Sequence, residues 1–257
     1  MNWRKVILSI LAGLFFFMLI GAIGSHILLQ QTPLNGFGSA SFLFVAGALV
    51  LLSAPKTDRL RLLIVGGLGF IAEVVGVKFG WLFGRYTYTE VLAPNISDVP
   101  LAMVFAWLIL IGYVKQLMGG IKISAWGEIV LSGLWMTTID LMLDPVAAHP
   151  FHFWMWIDTG VYYGIPAHNF LGWFVVSGVI FALDKAMFKR RWDENVWARV
   201  VGLSIIVLYS SSAFAYGYVV AGCVGILLVG GHMWLIRKTN TALTLSPHKI
   251  NSASLSN

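Results

Sequence analysis

The sequence predicts an all-α protein, a bundle of about eight transmembrane helices with both termini on the cytoplasmic side. Of the 257 residues, 58% are hydrophobic and only 11% are charged, and the mean hydropathy is +0.82. A soluble domain of this length needs far more charge to cover its surface. Several apolar runs also approach the roughly 20 residues that a helix needs to cross the hydrocarbon core of a bilayer.

The first apolar run follows Arg4 and Lys5 and has two interpretations. A cleaved signal peptide would also begin with basic residues, but its apolar region is usually shorter than the run found here. We therefore expect a retained first helix. The later runs give seven more spans, so the predicted set is 6–29, 38–54, 62–83, 100–118, 124–144, 169–188, 198–215 and 218–236.

Proline and glycine support these boundaries. No proline falls in the interior of a predicted span, and Pro100 takes a first-turn position where its missing N–H costs nothing. A tight turn around Gly217 joins the last two spans. We treat residues 1–240 as one helical domain, and we expect the polar tail 241–257 to be disordered because it is rich in serine and asparagine.

The positions of lysine and arginine predict the orientation of the chain. With the N-terminus inside, all of the 17 basic residues except Lys78 and Arg85 fall on the inner side. An odd number of spans would destroy this asymmetry. The net charge of +6 thus reflects topology rather than a nucleic-acid-binding patch, and the chain is predicted to be a multi-pass protein of the cell inner membrane. The two long loops, 84–99 and 145–168, lie outside.

Glu73 is the most unusual residue of the third span, because a carboxylate at a helix centre costs about 2.5–3.5 kcal/mol on insertion scales. It lies in the pattern Gly69-x-x-x-Glu73-x-x-Gly76-x-x-x-Gly80. Steps of four, three and four keep these residues on one helix face, where the glycines let a neighbour approach closely. Glu73 is either a protonated acid that serves as a proton donor or one that only hydrogen-bonds another helix.

Asp140 and Asp144 are spaced i,i+4 and share a face of the fifth span, which Pro145 is expected to end. Two carboxylates this close do not both ionise readily in a dry site, so the pair could hold a proton, a water or a cation. An interfacial aspartate beside a proline is also ordinary, and this plain interpretation applies to Asp144 more than to the deeper Asp140.

Histidine and tryptophan give weaker signals. His149 and His152 have an HxxH spacing, which is a poor metal signature alone, and we expect interfacial histidines and no metal. Near the outer interface an aromatic belt is the default explanation for Trp81, Trp154, Trp156 and Trp173. Trp107 and Trp135 lie in mid-span, where they could line an apolar pocket, stabilise a carbocation or simply pack between helices.

Four segments in chain order carry a family resemblance. They are the stretch from Glu73 to Tyr88, Val99-Pro100 followed by Trp107, the run Asp140-Leu-Met-Leu-Asp144-Pro145-Val-Ala, and the stretch from Trp154 to Trp173. Together they resemble the membrane-embedded carotenoid biosynthesis family, which includes carotenoid 1',2'-hydratases and bisanhydrobacterioruberin hydratase. The resemblance implies addition of water across the terminal C1–C2 double bond of an acyclic carotenoid end, without a redox cofactor. It also implies as partners membrane lipid, an acyclic or monocyclic carotenoid, water and a carotenoid glycosyltransferase.

A mechanism can be written for these residues. Protonated Glu73 is the expected general acid, and Asp140 with Asp144 would orient and deprotonate the water, although these acid and base roles could be exchanged. Asn169 could hydrogen-bond the water. The aromatic residues expected to contact the substrate or shield its cation are Trp107, Trp135, Tyr163, Tyr86 and Trp173.

Two other classes of function are considered. Another carotenoid end-group enzyme, a cyclase or a prenyl-adding enzyme, could use the same acids, although no second Asp-rich motif for a diphosphate is present. A non-enzymatic membrane transporter or carotenoid-binding protein is the alternative from a different class. A transporter predicts helices interrupted by glycine or proline at the midplane, and the prolines here avoid the span interiors.

Overall fold

The structure is a computed structural model that describes residues 3–32 and 37–244. In these ranges it contains eight α-helices: α1 (Trp3–Ala22), α2 (Phe37–Ser53), α3 (Lys56–Phe79), α4 (Ala102–Met118), α5 (Ala125–Ala148), α6 (Ala167–Met187), α7 (Val196–Ala215) and α8 (Val219–Thr244). A π-helical segment, Ile23–Leu28, continues α1. Four short strands lie between the helices: β1 (Tyr86–Tyr88), β2 (Asn95–Ile96), β3 (Val99–Pro100) and β4 (Trp154–Trp156).

Each predicted span corresponds to one of these helices, which confirms a helical bundle of the multi-pass membrane type. Six of the helices, α1 with its π-helical segment, α3 and α5–α8, are long and apolar enough to cross a bilayer. The other two, α2 and α4, are apolar but have only 17 residues each. Helix α8 reaches Thr244, beyond its predicted end at 236, so the first four residues of the predicted tail 241–257 belong to the helix. The rest of that tail, from 245 onward, lies outside the described residues.

The prediction that Pro145 ends the fifth span is wrong, because α5 continues to Ala148. Proline has no N–H to donate to the carbonyl of Leu141, one turn earlier. The hydroxyl of Tyr162 in the following loop donates to that carbonyl at 2.8 Å. Partial burial raises the pKa of Tyr162 to about 12, so this hydroxyl stays protonated at neutral pH. A loop side chain thus replaces the hydrogen bond that proline cannot make.

Helix α4 forms the centre of the bundle. It contacts α2, α3, α5, α7 and α8, and nearly every side chain from Trp107 to Met118 is buried. A helix that is apolar on all sides is suited to such a position, because it exposes no face to lipid or water. The helices around it therefore define the outline of the molecule, and side chains of α4 reach both its inner and its outer half.

On the predicted inner side, a network of ion pairs ties the helices together. The guanidinium of Arg61 donates to both carboxylate oxygens of Asp184 at 3.0 Å, and both residues are almost fully buried. The indole of Trp192 donates to Asp184 at 2.8 Å. Lys115 pairs with Glu128 at 2.8 Å. These contacts join α3, α4, α5, α6 and the loop after α6.

On the opposite side, the two long loops contain strands that the all-α prediction does not include. Strands β1 and β4 pair antiparallel, while β2 and β3 form a separate two-stranded sheet. Arg85, just before β1, forms an ion pair with Asp158, just after β4, at 2.7 Å. The Arg85 guanidinium holds the pKa of Asp158 below its usual value, so the carboxylate stays charged at neutral pH. The two loops are therefore one connected layer.

Replacing Asp184 with alanine is expected to lower the free energy of unfolding by about 3–5 kcal/mol, because the buried Arg61 would lose its two-bond carboxylate partner and keep the longer ion pair with Asp58 at 3.5 Å. Thermal unfolding of the purified protein in detergent micelles would measure this loss. Glu194→Ala is the control, since Glu194 pairs with Arg199 on the exposed surface. Similar losses in the two variants would contradict a special role for the buried pair.

Candidate active site

Glu73 lies in the C-terminal half of α3 and is almost completely buried, with 4% of its surface exposed. Its Oε2 accepts hydrogen bonds from the hydroxyls of Tyr86 and Tyr88, the latter at 2.9 Å. Its Oε1 accepts from the indole N–H of Trp107 at 3.0 Å. The donors come from β1 and α4, so the carboxyl group lies where the outer sheet meets the central helix.

Glycine makes this arrangement possible at two points of α3. A side-chain Cβ at Gly69 would lie 2.1 Å from the Trp107 ring, so only glycine lets the indole reach Glu73 from α4. Gly80 ends the helix with a φ of +66°, a left-handed conformation that favours glycine. The predicted close approach to the Gly69 face is therefore real, and the group that approaches is a tryptophan ring.

Asp140 and Asp144 lie on α5 and are joined by an amide of α6. The Nδ2 of Asn169 donates to Asp140 at 2.7 Å and to Asp144 at 2.9 Å, one bond for each of its hydrogens. Asp144 also accepts from the indoles of Trp154, at 2.8 Å, and Trp156, at 3.2 Å. The buried Oδ1 of Asp140 has no hydrogen-bond partner in the described part of the chain.

The β1–β4 ladder supplies four of these donors. Tyr86 is opposite Trp156 and Tyr88 is opposite Trp154, and alternation along each strand turns all four side chains inward. Burial raises the pKa of both tyrosines, so they remain protonated and keep their donor function at neutral pH. A two-stranded sheet of six residues thus holds acids from two different helices.

All three acids line one small cavity of about 20 Å³. This volume is enough for a water molecule, which needs roughly 10–15 Å³ and several polar partners. Asn169 and a set of aromatic side chains complete the lining. Within the described residues, no lysine or arginine lines the cavity. The site therefore combines several carboxyl oxygens, room for water and aromatic walls, which are the requirements of acid–base chemistry on an apolar molecule.

Three of the predicted aromatic residues lie at this site. Tyr86 and Trp107 donate to Glu73, as described above, and Trp173 lines the cavity. The Trp107 and Trp173 rings are stacked, with centroids 4.7 Å apart and an interplanar angle of 12°. Tyr86 and Trp107 therefore position the carboxyl group of Glu73, whereas the predicted role of both is contact with the substrate or its cation.

The other two predicted aromatic residues lie elsewhere. Trp135 packs against α8, where a Cβ added at Gly231 would come within 2.7 Å of its ring. The Tyr163 hydroxyl accepts a hydrogen bond from the backbone N–H of Val220 at 3.1 Å, at the start of α8. Neither side chain lines the cavity that holds the acids.

Three hydrogen-bond donors of the site, Tyr88, Trp154 and Trp156, are absent from the predicted set. Trp154 and Trp156 were expected to form an aromatic belt, and instead their indoles bind Asp144. The patterns Tyr86-x-Tyr88 and Trp154-x-Trp156 contained a usable signal, because alternate residues of a strand share a face. A belt needs no such alternation.

Comparison with known proteins identifies the family of the chain. The profile of a family described as carotenoid biosynthesis protein matches residues 37–236, which include every residue of the site. The chain belongs to the carotenoid biosynthesis protein family. This match confirms the family predicted from the four sequence segments.

One curated protein that is similar to this chain is the bisanhydrobacterioruberin hydratase of Haloarcula japonica. The two sequences are 29% identical over 196 residues, which cover 71% of this chain and 66%, slightly under two thirds, of the relative. No solved structure matches the chain. Membership of the carotenoid biosynthesis family thus rests on sequence, and the arrangement of the site rests on the contacts described above.

The Gly69–Trp107 contact predicts a difference between two neighbouring glycines. Gly69→Ala should destabilise the protein by about 1–3 kcal/mol, because the methyl group would overlap the indole. Gly67→Ala is the matched control, since a Cβ there meets nothing within 4 Å and alanine favours the helix. Thermal unfolding of both variants in detergent is the measurement, and a Gly69→Ala variant as stable as Gly67→Ala would show that the contact is loose.

Proposed function

We propose that this member of the carotenoid biosynthesis family is a hydratase that adds water across the terminal C1–C2 double bond of an acyclic carotenoid end. The observation that carries the proposal is the cavity shared by Glu73, Asp140 and Asp144. Protonation of an isolated alkene needs an acid sheltered from water, and capture of the resulting cation needs one well-placed water. The name of the Haloarcula relative, a hydratase, supports the same reaction class.

The hydrogen bonds favour Asp140 as the acid. Glu73 and Asp144 each accept three hydrogen bonds, and such donors stabilise the charged form of a carboxyl group. Asp140 accepts one, from Asn169, and its Oδ1 is unpaired within the described residues. A proton on Asp140 Oδ1 removes the need to bury a charge there. This proposal exchanges the roles first expected for Glu73 and Asp140.

The reaction then has two steps. The O–H bond of Asp140 breaks as its proton forms a C–H bond at C2, which leaves a tertiary cation at C1. Water forms a C–O bond to C1 as one of its O–H bonds breaks and Glu73 accepts that proton. The same proton then moves from Glu73 to Asp140 through cavity water, which restores both carboxyl groups. The aromatic faces of Trp156 and Trp173 would stabilise the cation. The net change is one added water, with no oxidation or reduction, so the chemistry requires no redox cofactor.

The proposal includes a topology of eight crossings with both termini in the cytoplasm of a cell whose inner membrane holds the chain. The short α4 is compatible with this, because it is enclosed by other helices and 17 residues is the lower limit for a span. The acid cavity would then lie below the outer loops. Water would enter from outside while the carotenoid stays in lipid, and the tertiary alcohol would be available to a carotenoid glycosyltransferase.

Expression in a bacterium that accumulates lycopene tests the reaction. The pigment should gain the mass of one water, whereas a cyclase would change the absorption spectrum without changing the mass. Asp140→Asn and Glu73→Gln should each reduce the hydrated product by about 10²–10⁴-fold, the usual contribution of a general acid or base. Glu90→Gln is the control, because Glu90 is an exposed carboxylate of the same outer loop.

Protein amounts must be equal in all four strains, which a tag and an elution profile can establish. Full product from both the Asp140 and the Glu73 variants would refute the acid–base assignment. An unchanged pigment mass in the strain that expresses the unmodified protein would refute hydration of this carotenoid.

The topology has a separate test, which uses labelling of single cysteines with a membrane-impermeant maleimide. In a background where Cys223 is replaced by alanine, Val161→Cys should be labelled from the outside of intact cells. Lys122→Cys should be labelled only after the membrane is opened. Val161 is fully exposed in the long loop after α5, and Lys122 lies between α4 and α5. Labelling of both positions from the same side would contradict the proposed orientation.

A further inference from the structure

A second and larger cavity, of about 350 Å³, lies in the same half of the bundle as the acids. It is lined by residues of α1 with its π-helical segment, of α2, α4 and α7 and of the loop that leads into β4, together with Leu143 of α5 and Trp173 of α6. Its walls are mostly apolar, with Phe42, Leu110, Phe151 and Leu208 among them. The volume is at the small end of the range of about 300–1,000 Å³ that is typical of ligand pockets.

The two cavities share a wall. Met103, Trp154 and Trp173 are the residues that line both of them. Trp154 is held by its hydrogen bond to Asp144, and Trp173 is stacked on Trp107. Met103 is the flexible member, because its unbranched side chain has three rotatable bonds and adapts to irregular spaces. Of the three shared residues, Met103 is therefore the one that can change its rotamer without breaking the hydrogen bond of Trp154 or the ring stack of Trp173.

The lining also restricts the chemistry of the occupant. No lysine, arginine, aspartate or glutamate lines the larger cavity among the residues described, so it has no lysine or arginine cation to neutralise a phosphate or a carboxylate. Several of its polar groups, Ser25, His26 and Gln31 among them, come from the π-helical segment and the residues that follow, and Ser39 of α2 and Tyr209 of α7 add others. That segment packs on α1 and α7, whereas the acids lie on α3 and α5. An uncharged apolar chain fits these walls, and a prenyl diphosphate does not.

We propose that the larger cavity binds the end-proximal part of an uncharged linear polyene and that the end of the chain reaches the acids in the space that Met103 vacates, since the acid cavity itself holds only water-sized molecules. This inference rests on the proposed function, because it assumes that the carboxyl groups act on that end. The size of the cavity implies that the rest of the polyene stays in the lipid. Each binding event then presents one end to the acids.

Four variants expressed in lycopene-accumulating cells test the proposal, with two readouts: carotenoid that co-purifies with the protein, and hydrated carotenoid in the cells. Ala106→Phe fills the larger cavity and should lower both by roughly tenfold, equivalent to about 1.4 kcal/mol of binding. Met103→Trp should block the passage, so that pigment still co-purifies while product falls. Asp140→Asn should also keep the pigment and lose the product. Ala186→Phe is the control, since Ala186 is exposed on α6.

The outcomes separate the two proposals. If Ala106→Phe retains pigment and product at the level of Ala186→Phe, or if no pigment accompanies the parent protein, the larger cavity is not the binding site. Unchanged product from Met103→Trp would remove Met103 as the passage residue. If Asp140→Asn still forms product while Ala106→Phe loses pigment, the binding site stands and the assigned acid fails. Equal elution profiles of all variants show that each is folded.

Discussion

The constraint on which the rest of the molecule depends is the burial of carboxyl groups that are held by aromatic N–H and O–H donors. Among the described residues, neither Glu73 nor Asp144 has a lysine or arginine as a hydrogen-bond partner. A cation would make each acid a permanent ion pair, whereas neutral donors leave a carboxyl group able to exchange a proton. Other features serve this arrangement, because the outer sheet must reach the helices and α3 must have glycine where the Trp107 indole passes.

The two halves of the bundle treat buried acids in different ways. On the predicted inner side, Asp184 is neutralised by Arg61, and Glu128 by Lys115, so these charges are fixed and serve only to hold helices together. On the outer side the acids have amide, indole and phenol partners. The ion pairs of the predicted inner half thus hold the helices in place. The acids of the opposite half can still exchange protons, because their hydrogen-bond partners are neutral groups.

The helices could be predicted from the sequence because hydropathy reports directly on the surroundings of each segment. The acids could be found as well, since a carboxyl group in an apolar run is rare enough to require an explanation. The donors Trp154 and Trp156 are harder to find, because tryptophan near an interface already has a common explanation and a three-residue strand offers only one alternating pair as a signal. The continuation of α5 past Pro145 depends on Tyr162, a long-range contact that no local pattern reveals.

The register of β1 against β4 also limits how this part of the chain can change in evolution. Side chains of a strand alternate between its faces, so the insertion or deletion of one residue within either strand would turn one of its two aromatic residues toward solvent. The ladder and its flanking ion pair therefore fix the chain length only from Arg85 to Tyr88 and from Trp154 to Asp158, and length variation is tolerable outside these two segments. Among homologues, the two loops should differ in length at their margins while the spacing between their paired aromatic residues stays constant.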